Sequence, residues 1–131
     1  MKLLLDTHIW IWAILRPERI SRSVRRQIES PKNEVYLSPI SVWEAHLLER
    51  QGKLPLKQGF SEWLEDSLTR APIREAPFNF AVAAEASRIQ LPQMDLGDVF
   101  LAATATVFDL TLVTADAQLL GCAWLKTLAN A

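Results

Sequence analysis

Four acidic residues occupy positions where an α/β protein can do chemistry. Asp6 directly follows the first apolar run of the chain, and Asp116 follows the last long one. Glu44 falls in the second turn of a predicted helix, and Asp98 falls in the first turn of another. Ligands of open parallel sheets bind beyond the carboxyl ends of the strands. Carboxylates from four separate segments are therefore expected to converge on one edge.

Such a group of carboxylates is suited to a hard divalent cation. Oxygen ligands favour Mg²⁺ or Mn²⁺ over Zn²⁺, and the lone Cys122 and the two histidines do not supply zinc spacing. Clustered like charges raise one another's pKa values, so a fold tolerates them mainly when a cation neutralises them. A cation there can lower the pKa of a bound water, orient a phosphodiester and absorb charge on the leaving oxygen. Glu44 is also a candidate proton acceptor for the attacking water.

Each acid also has a structural explanation. Helix dipoles favour carboxylates near helix N-termini, which covers Asp98 and Asp116. Asp95 can be the N-cap of the helix that contains Asp98. The segment Ser41–Glu44 fits a capping box if its helix begins there and not at the preceding Ser-Pro pair. Asp6 can simply end a strand, so the joint placement of the acids, and no single one, indicates a site.

Apolar runs alternate with helical patterns along the chain, which predicts a three-layer α/β/α sandwich around a central parallel sheet of four to five strands. The predicted strands are Leu3–Leu5, Val35–Leu37, Ile73–Ala76, Leu110–Val113 and a fifth within Ala123–Leu128. The predicted helices are Ile9–Leu15, Ser21–Glu29, Ser38–Gln51, Phe60–Thr69, Phe78–Ile89, Gly97–Phe108 and Ala115–Leu120. No linker or repeat interrupts them, so residues 1–131 are expected to form a single domain.

The composition narrows the classes of protein. Of 131 residues half are apolar, and 14 basic against 15 acidic residues give a net charge of −1. A protein that binds nucleic acid through bulk charge is normally strongly basic, so any RNA contact must be local or assisted by metal. A lone cysteine excludes an intrachain disulfide and favours a reducing compartment. The longest uncharged apolar run, Ile9–Leu15, is too short to cross a membrane, and a cytoplasmic protein is expected.

Four segments carry a resemblance to a known family. They are Leu4-Leu5-Asp6-Thr7-His8, Ser41-Val42-Trp43-Glu44, Asp98-Val99-Phe100-Leu101-Ala102-Ala103-Thr104-Ala105 and Leu112-Val113-Thr114-Ala115-Asp116. In this order, and over essentially the whole chain, they resemble the PIN-domain ribonucleases. The greatest similarity is to the VapC-type toxins of bacterial toxin–antitoxin pairs.

The resemblance implies a parallel sheet flanked by helices, an acidic pocket that binds Mg²⁺ or Mn²⁺, and endonucleolytic RNA cleavage that leaves a 3′-hydroxyl and a 5′-phosphate. The residues that match the catalytic, metal-binding positions are Asp6, Glu44, Asp98 and Asp116, with Asp6 and Asp98 as the principal ligands. Thr114 and Asp95 match accessory positions, although helix capping explains Thr114 about equally well. The resemblance further implies a cognate antitoxin protein, which lies across a hydrophobic groove, and a homodimer.

One departure from the family concerns RNA contact. Relatives often carry arginine directly after the third acid, where this chain has Val99. A cluster of basic residues, Arg16, Arg19, Arg22, Arg25 and Arg26, has two interpretations. It is either a phosphate-binding ridge or a solvated helix face with pairs such as Arg25 and Glu29.

Aromatic residues indicate a partner surface. Trp10 and Trp12 are two apart on a short helix and cannot both face the core, so one is expected at a surface groove. Trp43, Trp63 and Trp124 are expected to pack in the core.

The leading hypothesis is a metal-dependent endoribonuclease that acts as the toxin of an antitoxin pair. The alternative is a non-catalytic PIN-like module that binds protein or RNA, which the presence of all four acids disfavours. A phosphoacceptor signalling domain needs an acidic pair after the first strand and a lysine after a late strand. The chain has neither.

Overall fold

The computed structural model describes all residues from Met1 to Ala131. Its five strands are β1 (Lys2–Leu5), β2 (Glu34–Leu37), β3 (Arg74–Glu75), β4 (Thr111–Thr114) and β5 (Thr127–Ala129). They form one sheet in the order β3-β2-β1-β4-β5, and every neighbouring pair is parallel. The predicted α/β sandwich with a central parallel sheet is confirmed, with five strands.

Helices cover both faces of this sheet. They are α1 (Thr7–Leu15), α2 (Arg22–Glu29), α3 (Pro39–Arg50), α4 (Phe60–Thr69), α5 (Phe80–Ala86), α6 (Leu96–Phe108) and α7 (Ala117–Leu120), with a 3₁₀ turn at Pro17–Arg19. Apolar residues of α1 to α4 pack on one face, and those of α5 to α7 pack on the other. None of the helices combines the length and the apolar character that a membrane span requires.

The central strand β1 contributes to both halves of the core. Leu3 and Leu5 pack into the cluster with Trp10 and Trp63, whereas Leu4 packs into the opposite cluster. A strand that is buried on both faces needs apolar residues at every position, which explains the continuous leucine run. The first strand is therefore held in the middle of the molecule.

The order of the strands creates a cleft at the ends of β1 and β4. The chain leaves β1 for β2 on one side and later places β4 on the other side. The backbone N–H of Asp6 donates to the carbonyl of Val113 at 3.0 Å, which holds the two strand ends together. This is the topological switch point, where ligands of open α/β sheets bind.

The observed start of α3 removes one structural explanation for Glu44. The Ser38 hydroxyl accepts a hydrogen bond from the Ile40 N–H at 3.1 Å, and Pro39 occupies the first turn. Ser38 is therefore the N-cap, as predicted, and a capping box at Ser41–Glu44 is wrong because both residues lie inside the helix. Gly52, at a φ of +73°, follows the helix end in a conformation that favours glycine.

The burial of the tryptophan side chains differs from the prediction. Trp10 is buried, and Trp12 is half-buried beneath the Arg19 guanidinium and packs against the same apolar cluster, so this tryptophan reaches the surface only in part. Trp63 is buried, but Trp43 and Trp124 are 58% and 52% exposed, so core packing was wrong for both. Helix α3 buries Ser41 and Ala45, and Trp43, midway between them in the chain, points away from that face.

Candidate functional site

Thr114 joins Asp6 to the segment that follows β4. Its hydroxyl donates to Oδ2 of Asp6 at 2.6 Å and accepts from the N–H of Asp116 at 3.0 Å. Asp6 is almost buried, at 8% exposure, and caps α1 without a side-chain hydrogen bond. The Asp6 carboxylate therefore lies at the mouth of the cleft, with Thr114 fixing its Oδ2.

Asp95 and Asp116 cap helices as well as lining the pocket. Asp95 Oδ1 accepts from the Asp98 N–H at 3.1 Å, and Asp116 Oδ1 accepts from the Leu119 N–H at 3.1 Å. Capping thus accounts for one oxygen of each carboxylate. The second oxygen of each is available to a ligand, so the two roles are compatible. Asp98 caps nothing and stands in the first turn of α6.

Glu44 lies between three helices. Its Oε1 accepts a hydrogen bond from the Thr7 hydroxyl at 2.5 Å, and the same hydroxyl lies 2.8 Å from Oγ of Ser41. On the other side, the carboxylate approaches the Cα of Gly97 so closely that a Cβ atom built there would lie 2.1 Å from Oε2. Helices α1, α3 and α6 therefore meet at this carboxylate.

The pKa of Asp98 shows that the acids share one electrostatic environment. Burial, and then the charges of Asp95, Asp116, Asp6 and Glu44, raise the pKa of Asp98 to about 7. An isolated carboxylate that caps or flanks a helix does not experience four other acids. The structure therefore brings the other three predicted acids and Asp95 together around Asp98.

The pKa values of Asp6 and Glu44 are also raised, in both cases mainly by burial. Their hydrogen bonds oppose this shift, with Thr114 lowering the pKa of Asp6 and Thr7 lowering that of Glu44. The charge of His8 lowers both pKa values. Burial and mutual repulsion outweigh these favourable contacts, so the pocket lacks positive charge.

The donor set of the pocket fits a hard divalent cation. The side chains offer carboxylate oxygens, and a missing positive charge is what such a cation supplies. No three His, Cys, Asp or Glu side chains stand in an arrangement that already encloses an ion.

Four further residues of the pocket were not predicted from the sequence, namely Thr7, Ser41, Gly97 and His8. Three carried a recognisable pattern: Thr7 and Gly97 adjoin predicted ligands in the chain, and Ser41 lies close to Glu44 in a helix. His8 lacks the spacing of a zinc ligand, yet it is exposed and near enough to influence two acids.

The residues considered for contact with RNA phosphate, Val99 and the arginine cluster, have other contacts in the structure. Val99, where relatives often carry arginine, is buried in the core. In the predicted arginine cluster, Arg25 donates to the carbonyl of Pro17 at 2.6 Å, in place of the expected pair with Glu29. Arg19 stacks on Trp12, with its Cζ atom 5.0 Å from the ring centroid. Trp12 in turn contacts His8, with ring centroids 5.9 Å apart.

Comparison with known proteins supports the family. The model of the PIN domain family matches residues 3–124. No curated protein matches the chain in sequence. Among solved structures, a chain of VapBC2 from Rickettsia felis, bound to a promoter DNA fragment, has a TM-score of 0.75 at 16% identity, over 98% of both chains.

Two further structures share this fold. FitAcB from Neisseria gonorrhoeae has a TM-score of 0.63 at 28% identity, and the match covers 96% of each chain. DNA-bound VapBC from Salmonella typhimurium has a TM-score of 0.73 at 16% identity, over 100% of this chain and 99% of the other. Since the family model matches residues 3–124, nearly the whole sequence, this chain belongs to the PIN domain family.

Proposed function

We propose that this chain is a divalent-metal-dependent endoribonuclease, the toxin of a toxin–antitoxin pair, built as one cytoplasmic PIN domain over residues 1–131. The observation that supports this most directly is the convergence of acids from four chain segments around Asp98, whose pKa is about 7. If these acids had only a structural role, the repulsion among their negative charges would remain uncompensated. A bound cation that engages a phosphodiester compensates it.

The four acids have different roles in the proposed reaction. Asp6 and Asp98 are the principal ligands of Mg²⁺ or Mn²⁺, while Glu44 and Asp116 complete the pocket. Such a cation lowers the pKa of a water, orients the scissile phosphate and stabilises charge on the leaving oxygen. Glu44 accepts the proton of the attacking water. Thr114 holds Asp6 in place through its 2.6 Å hydrogen bond, and Asp95 adds negative charge beside Asp98.

Cleavage by the purified chain tests this function. With a pool of RNA oligonucleotides and 5 to 10 mM Mg²⁺ or Mn²⁺ (about the range at which weak carboxylate sites fill), we expect cuts that leave a 3′-hydroxyl and a 5′-phosphate. EDTA should abolish them, and fresh metal should restore them. DNA oligonucleotides of the same sequences are the matched control and should stay intact. RNA that is bound but never cut would contradict the enzyme and indicate the binding module.

We place the antitoxin on a groove beside α1. This groove has a volume of about 780 Å³ and lies among α1, α2, the end of α4 and the strands β1 and β2. Trp10, Ala13 and Ile14 of α1 line it, and Arg25 and Arg70 are among its polar residues. A peptide laid along the groove supplies apolar side chains that cover this exposed apolar surface.

Ala13→Arg should disrupt this interface. Ala13 is exposed and lines the groove, so an arginine there blocks the groove without entering the core. We expect at least tenfold weaker binding of the partner encoded beside this chain, measured by calorimetry, with RNA cleavage unchanged. Ala123→Arg is the matched control, since Ala123 is exposed in the turn between α7 and β5 and belongs to neither the groove nor the face around Phe80. Equal binding by both variants would place the antitoxin elsewhere.

A second apolar surface suits the homodimer. Phe78 contacts Phe100 edge to face, with ring centroids 4.9 Å apart, and Leu96 lies one turn before Phe100 on α6. Phe80 is 96% exposed, an unusual exposure for so large an apolar side chain. We therefore propose that two copies of the chain meet through this face, on the layer opposite the groove.

A further inference from the structure

The position of Glu44 depends on residues that are not acids. Its carboxylate is enclosed by Thr7 of α1, Ser41 of its own helix α3 and Gly97 of α6. We call these three residues the Glu44 seat. All three are buried. Two of them adjoin a principal ligand in the chain, since Thr7 follows Asp6 and Gly97 precedes Asp98.

The hydroxyls of the seat form a short chain that ends at the carboxylate. Thr7 Oγ1 lies 2.5 Å from Oε1 of Glu44 and 2.8 Å from Oγ of Ser41. A hydroxyl has one proton and two lone pairs, and an ionised carboxylate only accepts. The proton of Thr7 therefore serves Glu44, and the hydroxyl of Ser41 donates to Thr7. With an ionised Glu44, both short contacts are hydrogen bonds only in this arrangement.

Gly97 shapes the other side of the seat. A Cβ atom on residue 97 would lie 2.1 Å from Oε2 of Glu44 and 2.7 Å from its Cδ, far inside van der Waals contact. Any side chain here must push the carboxylate away. Because the displaced group is the end of a flexible side chain, the fold can accommodate the change, whereas the position of the carboxylate cannot survive it.

We propose that Thr7, Ser41 and Gly97 are positioning residues that hold the Glu44 carboxylate in the pocket, where it contributes to cation binding and accepts the proton of the attacking water. This inference rests on the proposed function. It assigns the seat a role separate from the acids themselves. Without the Glu44 seat, the Glu44 side chain samples other rotamers, and its carboxylate moves away from the other four acids of the pocket.

The test combines three single variants with a double-mutant cycle. Thr7→Val removes the hydroxyl and keeps the shape, Gly97→Ala adds the Cβ, and Thr7→Ser restores the hydroxyl. Each is measured for Mn²⁺ affinity by calorimetry and for kcat and KM on a cleaved RNA. We expect Thr7→Val and Gly97→Ala to lose about 10- to 100-fold in Mn²⁺ affinity or kcat, with KM for RNA changed less. Thr7→Ser should recover most of the loss.

A Glu44→Ala background separates positioning from general damage. If the seat acts through Glu44, adding Thr7→Val or Gly97→Ala to Glu44→Ala should cause no further loss. Gly59→Ala is the control glycine, since a Cβ there meets nothing within 4 Å. Circular dichroism and thermal melts show whether each variant folds, and Thr7→Ser tests the hydroxyl even if Thr7→Val does not fold.

The outcomes distinguish the two proposals. Wild-type protein that neither binds Mn²⁺ nor cuts RNA contradicts the proposed function and the seat with it. Wild-type protein that does both, together with Thr7→Val and Gly97→Ala variants equal to it, overturns the seat alone. Losses that add fully to those of Glu44→Ala also overturn it, because they act through some other residue.

Discussion

The Asp98→Asn variant should cut RNA at least about 100-fold more slowly than the wild type, yet melt at a higher temperature in EDTA. Asparagine keeps the size of the side chain and removes its charge. Burial and four neighbouring acids hold the pKa of this carboxyl at about 7, so its ionised form destabilises the metal-free protein. In the proposed function, the same charge binds the cation. Loss of activity with a gain in stability is the expected signature of a ligand.

Asp109→Asn is the matched control for this experiment. Asp109 ends the same helix, α6, far along the chain from the pocket, in the left-handed conformation that asparagine also tolerates. The Lys126 ammonium, which bonds it at 2.6 Å, lowers the pKa of Asp109, so its charge is favourable. This variant should keep full cleavage and should not melt higher. If Asp98→Asn cuts like the wild type, Asp98 is not a ligand.

The second large effect is a pH-dependent stabilisation by metal. The pKa of Asp98 is raised from 3.8 to about 7 in the folded protein. A raised pKa gives stability that is full below the unfolded value and is lost as the pH rises through the folded value. The metal-free protein should therefore lose stability from about pH 4 to pH 7. The raised pKa values of Asp6 and Glu44 act in the same direction.

Metal should reverse this loss, because it competes with the proton for the same oxygens. At pH 5.5 the site must release a proton, so the apparent affinity should be roughly 30-fold weaker than at pH 8. Mn²⁺ at a hundredfold excess over its Kd at pH 8 should raise the Tm by on the order of 10 °C, and by about 3 °C at pH 5.5. Thermal melts with Mn²⁺ and with EDTA measure both shifts. If Mn²⁺ raises the Tm equally at the two pH values, or if the Asp98→Asn variant keeps the full Tm shift, Asp98 does not couple proton release to metal binding.

The fold could be predicted because its elements are marked locally. Ser38-Pro39 sets the start of α3, and apolar runs mark the strands. Edge elements were less accurate: β5 was placed within Ala123–Leu128 and is observed at Thr127–Ala129, a short, partly exposed strand with a weak apolar pattern. The start of α1 was placed at Ile9 and is observed at Thr7, since Asp6 caps the helix without a side-chain bond.

The acidic residues of the site could be predicted from the sequence, whereas the residues that hold them in position could not. The positions of Asp6 and Asp116 at strand ends follow from topology alone. The contact between Glu44 and Gly97 depends on how closely α3 approaches α6, and no sequence pattern encodes that distance. The exposure of Trp43 had a similar cause. It depends on which stripe of α3 faces its neighbours, and the small residues Ser41 and Ala45 take that place.

The placement of β4 beside β1 governs when the pocket comes into existence. The hydrogen bond from Thr114 to Asp6 spans 108 residues, and the centre of the sheet is incomplete without β4. A ribosome must therefore synthesise nearly the entire chain before the four acids can meet, and contacts of such long sequence separation form slowly. A nascent chain of the proposed ribonuclease therefore lacks the complete acidic pocket until β4 has been synthesised.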